Sequence, residues 1–205
     1  MRRKTTGWVP LTIAALAVAA PLEAQTAQRF SVQISALGNT LFGEDFEGLK
    51  TGFGGEAQVR YNPSAFSIGA GIQYTYHDVD LESLGLAQPG FSINSSLVGF
   101  FVEPRYVFDM GSDRAAPYLS SRFSVSNLTL KAELDGVGAE LTDTGLTVNA
   151  GGGVLVRLNQ RANLDFGATF GYKQLGVISS GAGEDASGSG TNIIYRFGVA
   201  FGLGG

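Results

Sequence analysis

The sequence predicts an all-β protein, an eight-stranded antiparallel up-and-down transmembrane β-barrel. Apolar residues alternate with small or polar ones along eight segments, and a period of two indicates strands whose side chains point to opposite faces. One face of these segments is wide and aromatic, and the other is small, polar or charged, as expected between lipid and a polar lumen. The 205 residues include 30 glycines and only 16% charged residues, a composition that suits strongly curved sheet.

The N-terminal residues have the pattern of a secretory signal. A basic group, Arg2 to Lys4, precedes a short apolar run, Leu11 to Ala20, and small residues follow, so we expect cleavage near Ala24. The sequence therefore predicts a signal peptide over residues 1–24 and a barrel domain over residues 25–205. The apolar run is too short for a transmembrane helix, and a barrel needs no such helix.

Composition also limits the classes of function. The chain has no cysteine, which excludes a disulfide framework and a thiolate metal site. Cleavage of the signal would leave 11 of the 14 basic and 17 of the 18 acidic residues, a formal charge of −6. This charge argues against a nucleic-acid partner.

The first four strands are expected over residues 29–42, 51–61, 66–77 and 91–108. A turn with proline at a favoured position, Asn62 to Ala65, separates the second strand from the third. In the fourth strand, Phe91 and Ile93 have one parity, whereas Val98 and Phe100 have the other. Because one extra residue swaps the two faces, the sequence predicts a β-bulge around residues 95–97.

The last four strands are expected over residues 116–128, 144–158, 162–175 and 191–203. Residues 130–142 are predicted as a loop whose weak alternation could extend the hairpin, and residues 176–190 as a Gly/Ser-rich loop. Short connections around Asn62, Asp109 and Gln160 alternate with long ones elsewhere, so one end of the barrel has tight turns and the other has loops.

A soluble barrel with the same strand plan, of the lipocalin type, is the inverse arrangement, with an apolar cavity and a wet outside. It would make the chain a periplasmic ligand carrier. The polar face here consists mostly of Gly, Ser, Thr and Asn, and aromatic residues such as Tyr61, Phe66, Tyr74 and Tyr172 lie near the strand ends of the other face. Narrow lumen residues and aromatic girdles favour the membrane barrel.

The closing strand carries the most specific motif. Its segment Arg196-Phe-Gly198-Val-Ala-Phe201-Gly-Leu203 resembles the C-terminal assembly signal of small OmpA/OmpX-type outer-membrane barrels, although Gly204 and Gly205 follow where that family usually ends. The resemblance covers the whole mature chain. It implies location in the outer membrane, a monomer with periplasmic termini, insertion by the barrel-assembly machinery, and contact with outer-membrane lipid and lipopolysaccharide.

Nine charged residues fall on the predicted lumen face, and they are the candidate site residues: Glu56, Arg60, Glu103, Arg105, Arg122, Arg157, Asp165, Lys173 and Arg196. An eight-stranded barrel is only wide enough to be filled by side chains, and unpaired buried charges are costly. We therefore predict a structural charge network. The alternative is a narrow small-solute pore that weakly favours anions, because the basic residues outnumber the acidic ones.

A lipid-modifying enzyme is a further alternative, since some outer-membrane barrels edit acyl chains. His77 is the only histidine and Asp78 follows it, but adjacent strand residues point to opposite faces and no partner serine can be nominated. We predict no catalytic residue, no cofactor and no metal site. The expected function is a non-enzymatic structural or surface-interaction role, with binding specificity carried by the acidic long loops.

Overall fold

The computed structural model describes residues 28–112, 114–134, 137–176 and 188–203. These residues form a closed barrel of eight antiparallel strands, which confirms the predicted fold class. The strands are β1 Phe30–Phe42, β2 Gly52–Tyr61, β3 Phe66–Asp78, β4 Phe91–Val107, β5 Ala115–Leu134, β6 Val137–Arg157, β7 Ala162–Leu175 and β8 Ser189–Leu203. A 3₁₀ turn, Glu44–Phe46, follows β1. The predicted signal peptide lies outside the described residues.

None of the helical residues in the described ranges belongs to a segment long and apolar enough to cross a membrane.

The barrel closes where β1 pairs with β8. The pairing runs in one antiparallel register from Phe30 opposite Leu203 to Phe42 opposite Thr191. At the middle of this seam, Gly198 lies opposite Ser35, and a Cβ on the glycine would collide with the serine Oγ and lie 2.9 Å from the carbonyl oxygen of Ile34. Glycine therefore allows the two strands and the side chains inside them to approach closely.

The two faces of the wall have the predicted assignment. Along β1, Ile34 is 67% exposed on the outer face, whereas its neighbour Gln33 is 2% exposed inside the barrel. On the next strands, Phe53 and Phe100 are both 71% exposed outside. A lipocalin-type barrel would need these faces reversed, and the structure therefore contradicts the ligand-carrier interpretation.

The β-bulge predicted around residues 95–97 is wrong. The register between β3 and β4 runs from Phe66–Tyr106 to Asp78–Asn94 without an extra residue on either strand. Phe91 and Ile93 share the parity of the inward-facing residues Leu97, at 1% exposure, and Phe101, at 3%, so β4 keeps one phase along its whole length and the apparent change comes from apolar residues on its inner side. Phe101 is accommodated there because the guanidinium of Arg122 lies over its ring, 4.0 Å from the centroid.

The loop predicted over residues 130–142 is also wrong, and its alternative, an extended hairpin, is present. β5 and β6 pair without interruption as far as Leu134 and Val137, while the last pair of β6 with β7 is Gly145–Leu175. β4 pairs with β5 along this stretch, to Phe91 opposite Leu134. We call the part of β4–β6 beyond the barrel rim the sheet extension; it comprises residues 91–93, 131–134 and 137–144.

An apolar layer crosses the bore near the end that carries the long loops. Leu41, Phe46, Leu97, Leu128 and Leu175 form one buried cluster, which we call the loop-end layer. These residues come from β1, the 3₁₀ turn, β4, β5 and β7, so their contacts join opposite sides of the wall. Burial of this apolar surface stabilises the closed barrel and fills its bore.

Candidate functional site

Seven of the nine charged residues predicted for the lumen converge inside the barrel. They form what we call the ion-pair network: Glu56, Arg60, Glu103, Arg105, Arg122, Asp165 and Arg196. Each is at most 6% exposed. The strands bring them together because every second residue faces the bore, and the bore of eight strands is narrow enough for long side chains to meet.

Glu103 lies at the centre of the network. Its carboxylate oxygens accept hydrogen bonds from four guanidiniums: Arg60 at 2.7 Å, Arg105 at 2.9 Å, Arg122 at 2.7 Å and Arg196 at 2.7 Å. These arginines belong to β2, β4, β5 and β8, so one carboxylate links four of the eight strands. Charge-assisted hydrogen bonds of this length are the strong ones, because both partners are ionised.

Glu56 supports the network from β2. Its oxygens lie 2.8 Å from Arg122 and 3.5 Å from Arg196, and one accepts a hydrogen bond from the Ser35 hydroxyl at 3.2 Å. This second carboxylate shares two guanidiniums with Glu103. Arg122 and Arg196 are therefore each paired with two carboxylates, those of Glu56 and Glu103.

Asp165 supports the network from β7. Arg105 Nη2 donates to it at 2.9 Å, and Arg196 Nε lies 3.3 Å away. Two residues that the sequence analysis did not single out complete its surroundings: Tyr118 donates its hydroxyl at 2.6 Å and Gln33 its amide at 2.8 Å. Asp165 is 0% exposed, and these donors satisfy both of its oxygens.

Tyr118 is the main residue that sequence reasoning missed. Its hydroxyl accepts a hydrogen bond from Arg196 Nη2 at 2.8 Å, and its ring carries the guanidinium of Arg105 at 4.0 Å from the centroid. The available signal was its parity with Ser120 and Arg122, which places it on the inner face of β5. An aromatic residue on a polar face would have been expected to bind polar groups through its hydroxyl.

The other two predicted residues lie apart. Lys173 is 2% exposed and donates to the Ser126 hydroxyl at 2.8 Å, without an ion pair to any described carboxylate. Arg157 is half-buried at the end of β6, where its backbone N–H donates to the Arg114 carbonyl at 2.8 Å. Parity alone placed both inside, but their heights along the barrel separate them from the network.

The bore is therefore obstructed twice. The ion-pair network joins strands on opposite sides of the wall, and the loop-end layer crosses the bore above it. On the other side of the network, Val107, Ala116, Tyr118 and Leu155 form a second buried apolar cluster. A hydrated ion would have to break charged hydrogen bonds and pass through packed leucines to cross.

The family model for the outer membrane protein beta-barrel domain matches residues 10–201. The chain belongs to this family. Its location is therefore the outer membrane. Comparison with curated proteins finds no match.

Solved structures of outer-membrane barrels have the same fold. Neisserial surface protein A is similar with a TM-score of 0.56 and 20% identity over 85% of this chain and 97% of that one. The attachment invasion locus protein of Yersinia pestis gives a TM-score of 0.50 at 12% identity, covering 85% and 97%. A major outer membrane protein of Thermus thermophilus gives 0.50 at 14% identity, covering 84% and 98%. Identities this low support the fold alone.

The four residues of the predicted assembly signal occupy both faces of β8. Arg196 and Gly198 face the bore, where Arg196 joins the ion-pair network. Phe201 and Leu203 face outward, each 48% exposed. Because β8 closes the barrel on β1, all four residues lie on the seam between the first and the last strand.

His77 faces the interior of the barrel, and Asp78 points away from it. Its ring is 0% exposed and contacts the Thr75 hydroxyl at 3.1 Å and the Lys50 carbonyl oxygen at 3.1 Å, while Asp78 is exposed on the opposite face. Among the described residues, no three potential metal-ligating side chains come together. His77 thus fastens the end of β3 to the chain that enters β2.

Proposed function

We propose that this outer-membrane barrel is a closed, non-enzymatic scaffold that presents the sheet extension at the cell surface. The observation that carries the proposal is the double obstruction of the bore by the ion-pair network and the loop-end layer. A lumen filled in this way supports a fixed wall and opposes passage of solutes. The remaining feature available for interaction is the end that carries the long loops.

The sheet extension suits a contact role. β6 continues for eight residues beyond its last pair with β7, from Val137 to Thr144, which is about 26 Å of strand at the usual rise. Its surface includes the exposed cross-strand pair Lys131–Glu140, with 3.2 Å between the charged atoms. Strands outside the rim have no role in closing the barrel, so their sequence is free to serve a partner.

The proposal extends to the oligomeric state of the barrel and to its partners in the envelope. We propose a monomer whose outer wall contacts outer-membrane lipid and lipopolysaccharide, inserted by the barrel-assembly machinery through the β8 signal. The long loops are acidic, so divalent cations would mediate their contact with lipopolysaccharide phosphates. The scaffold requires no cofactor.

Conductance measurements distinguish the proposed closed scaffold from the alternative of a narrow pore. We expect the purified barrel in a planar lipid bilayer to show no defined openings, under conditions in which an open porin from the same preparation conducts. Regular steps of one size would contradict the scaffold and support the narrow pore. Mass spectra of lipid A from cells with and without the protein test the enzyme alternative, and we expect them to be identical.

A trimmed variant tests the sheet extension itself. Replacement of residues 131–140 by an Asn-Gly turn should leave a heat-shifted band on gels, because the pairs that close the barrel are untouched. We expect the trimmed barrel to lose attachment of cells to surfaces and to each other while retaining envelope integrity. Full attachment by the trimmed variant would contradict a contact role for the extension.

A further inference from the structure

The ion-pair network holds one more positive than negative charge. Its three carboxylates, Glu56, Glu103 and Asp165, are bound by four guanidiniums, and the paired groups are at most 6% exposed. A buried charge without compensation is costly, and removal of a partner from such a network is strongly destabilising. A compensating negative charge beside the network would remove this cost.

A small cavity borders the network on the side of the short turns. It has a volume of about 20 Å³, which is room for a single water-sized particle. Arg60 and Arg105 line it, together with polar side chains that include Ser31, Ser67 and Asn62. Asn62 is partly exposed in the turn after β2, which gives the cavity a route to the solvent at this end.

Two donors of the arginines that line this cavity have no hydrogen-bond partner among the described residues. The Nε atoms of Arg60 and Arg105 are buried and make no hydrogen bond to any described residue, although the arginines are only 4% and 2% exposed. A guanidinium can only donate, so these atoms require an acceptor. An unpaired buried donor loses its hydrogen bonds to water without replacement, which destabilises the folded barrel.

The serines add further donors. Ser67 Oγ already accepts from Arg60 Nη1 at 3.2 Å, and Ser31 Oγ accepts from Asn62 Nδ2 at 3.1 Å. Each hydroxyl therefore has its O–H left to donate to a ligand. The cavity thus combines excess positive charge with several donors, which is the environment of an anion and is less favourable for a cation.

We propose that this cavity binds one small monovalent anion of the chloride class, held between Arg60 and Arg105. The volume admits a monatomic ion and excludes sulfate, phosphate and carboxylate ligands. Binding brings the network to charge balance and supplies an acceptor for both Nε donors. The anion site is independent of what the sheet extension contacts. If no anion binds there, the proposed surface role is unaffected.

Bromide diffraction tests the site directly. Crystals of the complete barrel grown in sodium bromide should show one anomalous peak in the cavity, in contact with Nε of Arg60 and Arg105. A water molecule without anomalous signal at that position, at saturating bromide, would overturn the proposal. This experiment uses the natural sequence and does not depend on the folding of any variant.

Stability in different salts provides the second readout. At constant ionic strength, we expect the natural barrel to unfold about 5 °C higher in chloride than in gluconate, with saturation as chloride rises. Ser67→Asp would place a fixed carboxylate beside Arg60, and this variant should lose the difference between the salts. In the matched control Ser126→Asp, beside Lys173, the salt difference should remain. Equal stability of the natural barrel in both salts, or loss of the effect in both variants, would overturn the site.

Discussion

Glu103→Gln is the most informative perturbation of the interior. The substitution retains the shape of the side chain and removes its charge, leaving four buried guanidiniums with two carboxylates. Four charged hydrogen bonds of 2.7–2.9 Å to Glu103 would become weaker. Removing one partner of a buried ion pair typically costs 3–5 kcal/mol, so we expect a loss of about 4 kcal/mol in the free energy of unfolding.

The loss can be measured on the refolded barrel in detergent micelles. Folded and unfolded forms separate on gels when samples are not boiled, so the folded fraction can be followed through a urea titration or a temperature series. For a chain of this size, about 4 kcal/mol lowers the thermal midpoint by about 10 °C. This predicts a clear separation from the natural barrel under identical conditions.

Glu140→Gln is the matched control. Glu140 also pairs with a basic residue, Lys131 at 3.2 Å, but the two side chains are 56% and 62% exposed. Exposed ion pairs contribute about 0–1 kcal/mol, so this variant should unfold close to the natural barrel. Equal stability losses for Glu103→Gln and Glu140→Gln would refute the reasoning, because burial would then make no difference to the cost of the missing charge.

Three further substitutions and one control can be followed by the same gel assay. Tyr118→Phe should cost about 2 kcal/mol, since the hydroxyl serves two charged partners, whereas the outward Tyr195→Phe should leave the urea midpoint unchanged. Gly151→Ala should cost about 2 kcal/mol because its Cβ would collide with the Ala168 carbonyl oxygen; an unchanged midpoint would contradict the close packing. Leu97→Ala should cost about 3 kcal/mol by opening a cavity in the loop-end layer, yet still give no conductance in bilayers, because the ion-pair network remains.

Strand number and face assignment could be predicted from the sequence because lipid and lumen impose opposite chemistry on alternate residues. The same reasoning failed in β4, where it assumed that apolar residues always face lipid. Leu97 and Phe101 face the bore instead, in the loop-end layer and beneath Arg122. An interior this narrow accepts apolar side chains wherever they pack, so parity of apolar residues alone does not locate a bulge.

The sequence did not predict the full length of β5 and β6, for a different reason. Beyond the rim both faces of the sheet extension meet water, so charged residues such as Lys131 and Glu140 occur where lipid would have excluded them. The alternation that identifies a membrane strand is lost there, although the hydrogen-bonded pairing continues to Leu134 and Val137. Strand pairing above the membrane therefore leaves little trace in hydrophobic periodicity.

The contacts between charged side chains inside the barrel could not be predicted from the sequence either. Parity placed nine charged residues inside, but contact also requires similar height along the barrel axis, which depends on the stagger between strands. That stagger brings Arg196 of β8 to Glu103 of β4 and keeps Lys173 of β7 apart from both. Tyr118 completes the group because it lies on the same inner face of β5.

Fluorescence quenching of a single tryptophan tests the central claim most directly, that the aromatic face meets lipid and the charged face fills the bore. The only natural tryptophan, Trp8, lies in the predicted signal segment, so a barrel made from residue 25 onward carries only the tryptophan that is introduced. In Ile72→Trp, at an outward position 53% exposed, we predict strong quenching by lipids brominated on their acyl chains and little quenching by aqueous acrylamide. Quenching by acrylamide without quenching by the brominated lipids would place this face in water and contradict the account.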